Sequence, residues 1–202
     1  MSDNPQLLAM KKDSETVRKT VLENVLKMLF ERKLIKQESI EQHMQKFKNP
    51  TDDNTYSIDL EKDKKKTIVR LIPQKIVGVT KIPVIKEFLD SYKNHHKIMI
   101  FDSITDKAKA SLSTAHTEVF TEDFFMINIT DHIDSPKYEI LSEQEVTELL
   151  NTYNVKRNNL NKILTSDPIV SYFNLKRGQV IRILRCSEQT QKSVAYRIVA
   201  KG

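Results

Sequence analysis

Between residues 14 and 33 the apolar positions Val17, Val21, Leu22, Val25, Met28 and Leu29 return every three or four residues, which predicts an amphipathic helix. Ile40, Met44 and Phe47 predict a second helix over residues 35–47. The rhythm then changes. After a polar loop at 49–54, residues 56–60 and 67–72 read as short strands separated by the charge cluster 61–66, which suits an exposed turn. Pro83 can start a helix carrying Ile85, Phe88, Leu89 and Tyr92, and the run Lys97-Ile98-Met99-Ile100-Phe101 is apolar enough for a buried strand. Strand, helix, strand is a crossover unit, so part of this sheet is expected to be parallel. A further apolar strand is expected over 124–129.

Residues 130–137 are polar, contain Pro136 and read as a linker, which divides the chain into domains over 1–130 and 131–202. Ser142 and Glu145 then stand at the spacing of a capping box, with Leu141 and Val146 at the positions of a hydrophobic staple, so a helix is expected from Ser142. A short helix is expected around 160–164. The richest stretch is 166–183. Asp167 is a preferred N-cap and Pro168 suits the first helical position. Ile169, Val170 and Phe173 supply an apolar stripe, Asn174 can take the left-handed conformation that stops a helix, and Gly178 permits a tight turn. Residues 179–185 and 193–200 are β-branched and alternating, with Val194, Tyr196 and Ile198 on one face, and read as an antiparallel pair. The expected fold class is a two-domain α+β or α/β protein. Its N-terminal part is a helix-flanked mixed sheet, and its C-terminal part is a small α+β domain whose helices precede the strand pair.

Composition removes several function classes. At 202 residues and 39% hydrophobic content the chain can build real cores, but its three glycines, Gly78, Gly178 and Gly202, cannot assemble a Walker loop or a dinucleotide-binding triplet. The single cysteine, Cys186, excludes an internal disulfide and argues against a cysteine zinc site, which suits a reducing compartment. No apolar run approaches the ~18 residues of a membrane span, and residues 1–12 lack an apolar signal core. No membrane partner is expected, and the protein should stay where it is made or enter a nucleus. His43, His95, His96, His116 and His132 show no ligand pairing at metal spacing, so no metal, cofactor or small-molecule substrate is expected. A net charge of +6 favours an anionic partner, although both signs are interspersed and much of the charge should be solvated surface.

From Asp131 to Val199 the chain resembles the small common subunit of eukaryotic and archaeal DNA-directed RNA polymerases, the common fifth-subunit family. Five segments carry the resemblance in order: Asn128-Ile129-Thr130-Asp131-His132, Leu141-Ser142-Glu143, Glu148-Leu149-Leu150 with Tyr153, the 166–183 run, and Tyr196-Arg197. It extends more weakly upstream, through Ile104-Thr105-Asp106-Lys107-Ala108-Lys109 and Glu118-Val119-Phe120, which look like the last part of the N-terminal domain of the eukaryotic members. Archaeal members are similar over the C-terminal portion alone, so the length points to the eukaryotic type. Asn174 stands where the family has a glycine, Cys186 where it has a proline, and the 187–193 loop lacks the usual glycine. Such drift fits a member encoded by a large DNA virus.

The resemblance implies a non-catalytic polymerase subunit without cofactors. Its C-terminal domain would dock on the largest subunit to assemble the enzyme, and its N-terminal domain, related in fold to restriction-type nucleases, would form a jaw beside downstream DNA. Such a subunit would work in the nucleus of a cell, or in the host cytoplasm and the virion of a cytoplasmic virus. The residues matching the interface and structural motif are Asp167, Pro168, Lys176, Arg177, Gly178, Gln179, Tyr196 and Arg197. The strand pair could present an edge to a partner chain. Thr105, Lys107 and Lys109 are placed in a loop after the strand ending at Phe101, where they could touch DNA phosphates without reading sequence. Two other classes compete: a free-standing DNA-binding or adaptor protein, and a metal-dependent nuclease. For the nuclease, Asp63-Lys64-Lys65 supplies an Asp-x-Lys match, but within a charged turn rather than on a strand beside a second carboxylate.

Overall fold

The computed structural model describes residues 13–48, 54–60, 66–76, 83–114, 116–131, 135–187 and 191–201. The chain forms two compact units, Met1–Ile127 and Asn128–Gly202. Asp63-Lys64-Lys65, Gly78, His132 and most of the 49–54 loop lie outside the described residues.

In the first unit, α1 (Ser14–Glu31) and α2 (Gln37–Lys46) precede β1 (Thr55–Asp59) and β2 (Lys66–Ile76). The helical periodicity of the sequence is realised: Val21, Leu22, Val25, Leu26, Met28 and Leu29 are all buried on α1. Arg18 ties the two helices together by donating to the carbonyls of Phe47 and Lys48 at the end of α2, at 2.9 and 3.0 Å. There follow α3 (Pro83–Ser91), β3 (His96–Ile104), α4 (Asp106–Leu112), β4 (Thr117–Thr121) and α5 (Glu122–Met126).

The sheet order is β1-β2-β3-β4, antiparallel at β1/β2 and parallel at β2/β3 and β3/β4. Two crossovers, through α3 and α4, produce the parallel pairs as the alternation of elements requires. Ile85 and Phe88 of α3 and Ala108 and Leu112 of α4 pack on Ile68, Ile72, Met99, Phe101 and Val119, which fall on one face by alternation. Val69, Leu71, Ile98, Ile100 and Phe120 are buried on the other face, where Phe120 meets Phe124 and Phe125 of α5. Both faces are therefore covered, which is why the central strands read as continuous apolar runs.

One expectation here is corrected. The run over 124–129 is not a strand: its first part is α5, anchored where the amide of buried Asn24 donates to the Phe125 carbonyl at 2.6 Å. The fourth strand is Thr117–Thr121 instead.

The second unit contains β5 (Lys137–Ile140), α6 (Glu143–Tyr153), a 3-10 turn (Arg157–Asn159), β6 (Asn161–Leu164), α7 (Pro168–Tyr172), β7 (Val180–Ser187) and β8 (Gln191–Ala200). The expected antiparallel pair is present as β7/β8, but it forms the centre of a four-stranded mixed sheet of order β5-β7-β8-β6. One expectation fails with it: residues 161–164 form a strand parallel to β8 rather than a short helix. At Lys137, the last residue of the stretch read as a linker, β5 begins, and it pairs antiparallel with β7. On one face of the sheet Val180, Tyr196 and Ile198 pack with Leu141, Val146 and Leu149 of the α6 region. On the other, Ile181, Ile183 and Val199 are buried on the side of Tyr138, whose ring meets Phe173 just after α7, 5.8 Å between centroids. Val194 shares the alternation of Tyr196 and Ile198 but is 51% exposed.

Candidate subunit interface

The 166–183 run builds the corner between α7 and β7. Asp167 caps α7 by accepting the Ile169 amide at 2.9 Å, and Pro168 occupies the first turn, as these residue types favour. The helix ends in a Schellman motif. Leu175 N–H donates to the Val170 carbonyl at 2.9 Å and Asn174 N–H to the Ser171 carbonyl at 3.1 Å, with Asn174 left-handed at φ 49°. Asn154 at φ 48° stops α6, and Lys33 at φ 59° stops α1, in the same way. A chain with three glycines thus uses longer side chains at these three left-handed helix stops, and Asn54 takes the same conformation before β1.

Gly178, at φ 88°, is a position that side-chain-bearing residues rarely adopt, and it carries the turn into β7. Its amide donates to the Val199 carbonyl at 2.9 Å, and its own carbonyl accepts from Arg157 at 2.7 Å. Arg157 also forms a two-pronged pair with Glu143 at 2.8 and 2.9 Å, so the start of α6 and the turn are held by one guanidinium. The Gln179 side chain accepts from the Lys176 amide at 2.5 Å. Lys176 reaches Asn174 at 2.7 Å, while Arg177 is exposed and makes no side-chain bond among the described residues.

Of the motif residues, Asp167, Pro168, Lys176, Gly178 and Gln179 are therefore gathered at one corner with structural roles. Tyr196 and Arg197 are adjacent on β8 and point to opposite faces of the sheet. Tyr196 lies with α6, its ring 6.2 Å from that of Tyr153. Arg197 lies on the Tyr138 side, where burial and the Asp167 carboxylate push the Tyr138 phenol up while Arg185 and Arg197 oppose them.

Several contributors have no signature in the sequence. Arg157 sits 14 residues from Glu143 and 21 from Gly178, and Glu139 is 43 residues from its cross-strand partner Arg182. Neither spacing leaves a local signal. Buried Asn128 has a local partner: its side-chain oxygen accepts from Thr130 Oγ1 at 2.9 Å, and Thr130 shares a 3.4 Å contact with the hydroxyl of buried Tyr172.

Thr105, Lys107 and Lys109 do not lie in a loop. Thr105 is the N-cap of α4, and the two lysines are on the helix, exposed on either side of buried Ala108. Residues two apart on a helix do not face each other, so the lysines diverge. Elsewhere in this unit, Glu118 of β4 is gripped by Arg32 at 2.7 and 2.8 Å and by His96 at 3.0 Å. Burial pushes its carboxyl up, but the hydrogen bond to His96 and the charge and hydrogen bonds of Arg32 outweigh that and hold it at about 2. Among the described residues no group of three or more His, Cys, Asp or Glu side chains could hold a metal.

The second unit is thus a small mixed sheet with a helix on each face, its turn locked by backbone bonds and most of its polar motif residues bonded within the corner. Residues 127–199 match the family described as RNA polymerase Rpb5, C-terminal domain. The whole chain is 31% identical over 205 residues to the DNA-directed RNA polymerase subunit 5 of Acanthamoeba polyphaga mimivirus, covering 98% of this chain and 100% of that protein. It is 36% identical over 132 residues to a subunit of DNA-directed RNA polymerases I, II and III from Dictyostelium discoideum, covering 60% and 66% of the two chains. Over 75 residues it is 43% identical to DNA-directed RNA polymerase subunit Rpo5 of Methanocaldococcus jannaschii, covering 37% of this chain and 96% of that one. The chain belongs to the RNA polymerase subunit 5 family, a family of non-catalytic polymerase subunits that serve transcription.

Proposed function

We propose that this subunit docks on the largest polymerase subunit through its C-terminal unit and that its N-terminal unit lies as a jaw beside downstream DNA. The observation that carries the reading is the archaeal relative. That polymerase subunit is matched over 96% of its length by an alignment of 75 residues, the size of the C-terminal unit, so a module of this kind suffices for a polymerase subunit. The N-terminal unit is then an addition with a second task, and the exposed Lys107 and Lys109 of α4 are its candidates for phosphate contact, with Thr105 at the same helix start. Full-length similarity to the mimivirus protein favours a virus-encoded subunit, working at the replication site in the host cytoplasm and carried in the virion.

Affinity purification of a tagged chain from cells making the complete polymerase tests this. The two large subunits should co-elute in stoichiometric amounts after a salt wash. A chain that elutes without them and is retained on DNA by itself is a free-standing DNA binder, and the reading fails.

A further inference from the structure

The hairpin of β7 and β8 is longer than the strands beside it. β8 runs from Gln191 to Ala200, but β6 covers its outer side from Arg197 to Ala200 alone, and among the described residues no strand pairs with that side before Arg197. The direction of each backbone group follows from the hydrogen bonds at the covered end. Val199 exchanges bonds with Gln179 and Gly178 on the β7 side, whereas the Ala200 carbonyl accepts from Thr165 on the β6 side. The β7/β8 register runs unbroken from Val180↔Ile198 to Ser187↔Gln191, so alternation carries through: the N–H and C=O of Val194 and the N–H of Tyr196 point to the open side, while the Tyr196 carbonyl faces Asn161 at the start of β6.

Free edges are ordinarily blunted by proline, lysine or a bulge. Here Val194, Ala195 and Tyr196 offer none of these. Their flank is also apolar. Val194 is 51% exposed opposite half-buried Leu184, and Tyr153 at the end of α6 is 62% exposed beside Tyr196. A groove of about 330 Å³ between α6 and the sheet opens here, lined by Leu141, Leu149, Tyr153 and Tyr196 together with Glu145, Glu148, Thr152 and Arg182, the last already paired with Glu139.

We propose that the open edge of β8 at Val194 and Tyr196 receives an extended segment of the largest polymerase subunit as a fifth strand. The inference rests on the docking reading above and names its mode. Main-chain bonds to Val194 and Tyr196 supply register, and the groove selects side chains. With carboxylates of α6 along that groove, the segment that fits carries an apolar residue against Tyr153 and Tyr196 next to a lysine or arginine.

Val194→Pro in the tagged full chain removes an outward-facing amide while leaving every bond to β7 in place, as an edge position allows. Recovery of the large subunits should fall at least tenfold, with the circular dichroism and melting of the purified chain unchanged. Should this variant not fold, Val194→Lys, which blunts the edge without removing a backbone donor, is scored the same way. Full recovery with a folded variant overturns strand addition while leaving docking intact; failure of the unsubstituted chain to recover the large subunits removes docking itself. Hydrogen exchange gives a check free of substitutions. The Val194 and Tyr196 amides should exchange at least tenfold more slowly in the assembled polymerase than in the free chain, and equal rates would falsify the proposal.

Discussion

The two sheets of this protein are both four-stranded and mixed, with an edge strand at each end, yet the first is closed over by helices on both faces while the second unit leaves more apolar surface exposed for its size. In the N-terminal unit helices cover both faces, the central strands are apolar throughout, and even a buried carboxylate is neutralised within the unit by Arg32 and His96. The C-terminal unit is smaller and nevertheless exposes Ile140, Tyr153, Val155, Leu164 and Val194, against Phe30, Val84 and Ile127 in the larger N-terminal unit, with the hairpin extending past its neighbouring strands. The corner from α7 to β7 is held by backbone bonds and by Arg157, so the exposure beside it is not looseness. Apolar side chains and backbone groups left exposed side by side on a small unit offer a surface to a partner, which is what the proposed docking uses.

If the N-terminal unit is self-contained, breaking its internal charge cluster should damage it and nothing else. Glu118→Gln keeps the shape but removes the carboxylate gripped by His96 and by the Arg32 side chain, 5% exposed. Loss of one partner from a buried pair costs about 3–5 kcal/mol. Amide exchange should accelerate across β3 and β4 and stay unchanged across β7 and β8; uniform acceleration would mean the units are not separately stabilised. The pH dependence has a definite sign. Glu118 is held at about 2 against an ordinary 4.5, so the unfolded chain binds its proton first as pH falls. Stabilisation on the order of 3 kcal/mol is fully present above about pH 4.5 and is lost as pH drops toward 2. Acid titration of β3 and β4 protection should show this loss, and Glu118→Gln should abolish it.

What the sequence disclosed follows the same division between local and remote. The helices α1 and α6 announce themselves by periodicity and, for α6, by a capping box that the structure realises through Ser142 and Glu145. The α7 corner is equally legible because cap, proline, left-handed stop and glycine turn are all consecutive. By contrast, Phe124-Phe125-Met126-Ile127-Asn128-Ile129 is a short apolar run whose pattern suits strand or buried helix alike, and packing of Phe125 against Phe120 decides for the helix. The strand β6 buries Ile163 as its one core position, too little to show a period of two, and its partner lies 36 residues on at Val199. Arg32 and Glu118 stand 86 residues apart. Pairings of that range are created by topology and leave no trace in a local window.

Within the C-terminal unit, the rigidity that makes the open edge meaningful can be tested at its corner. Asn174→Val forces a β-branched residue into φ 49° and should cost about 1–2 kcal/mol, whereas Asn174→Gly should lie within about 0.5 kcal/mol of the parent. Chemical denaturation of the two variants measures the difference, and equal stabilities would show that α7 ends without help from the left-handed residue. A smaller loss, about 1 kcal/mol, is expected for Arg157→Ala. Most of it should come from the orphaned Gly178 carbonyl, since the partner Glu143 is exposed and such pairs contribute little. Glu143→Gln should accordingly be nearly silent in the same measurement.

The smallest effect tests whether the closed unit has an outward task at all. Lys107 and Lys109 flank buried Ala108 on α4 and diverge, so a single duplex passing the helix can be met by one of them and not by both. Each phosphate contact released contributes about 0.9 to the slope of log affinity against log salt. Replacing both lysines by glutamine in the assembled polymerase should therefore lower that slope by about one, and one of the two single replacements should account for nearly all of the change. A slope lowered by about two would require the lysines to converge as they would in a loop, and an unchanged slope would take α4 out of the DNA path. Either result would leave the edge of β8 as the remaining surface for which a partner is proposed.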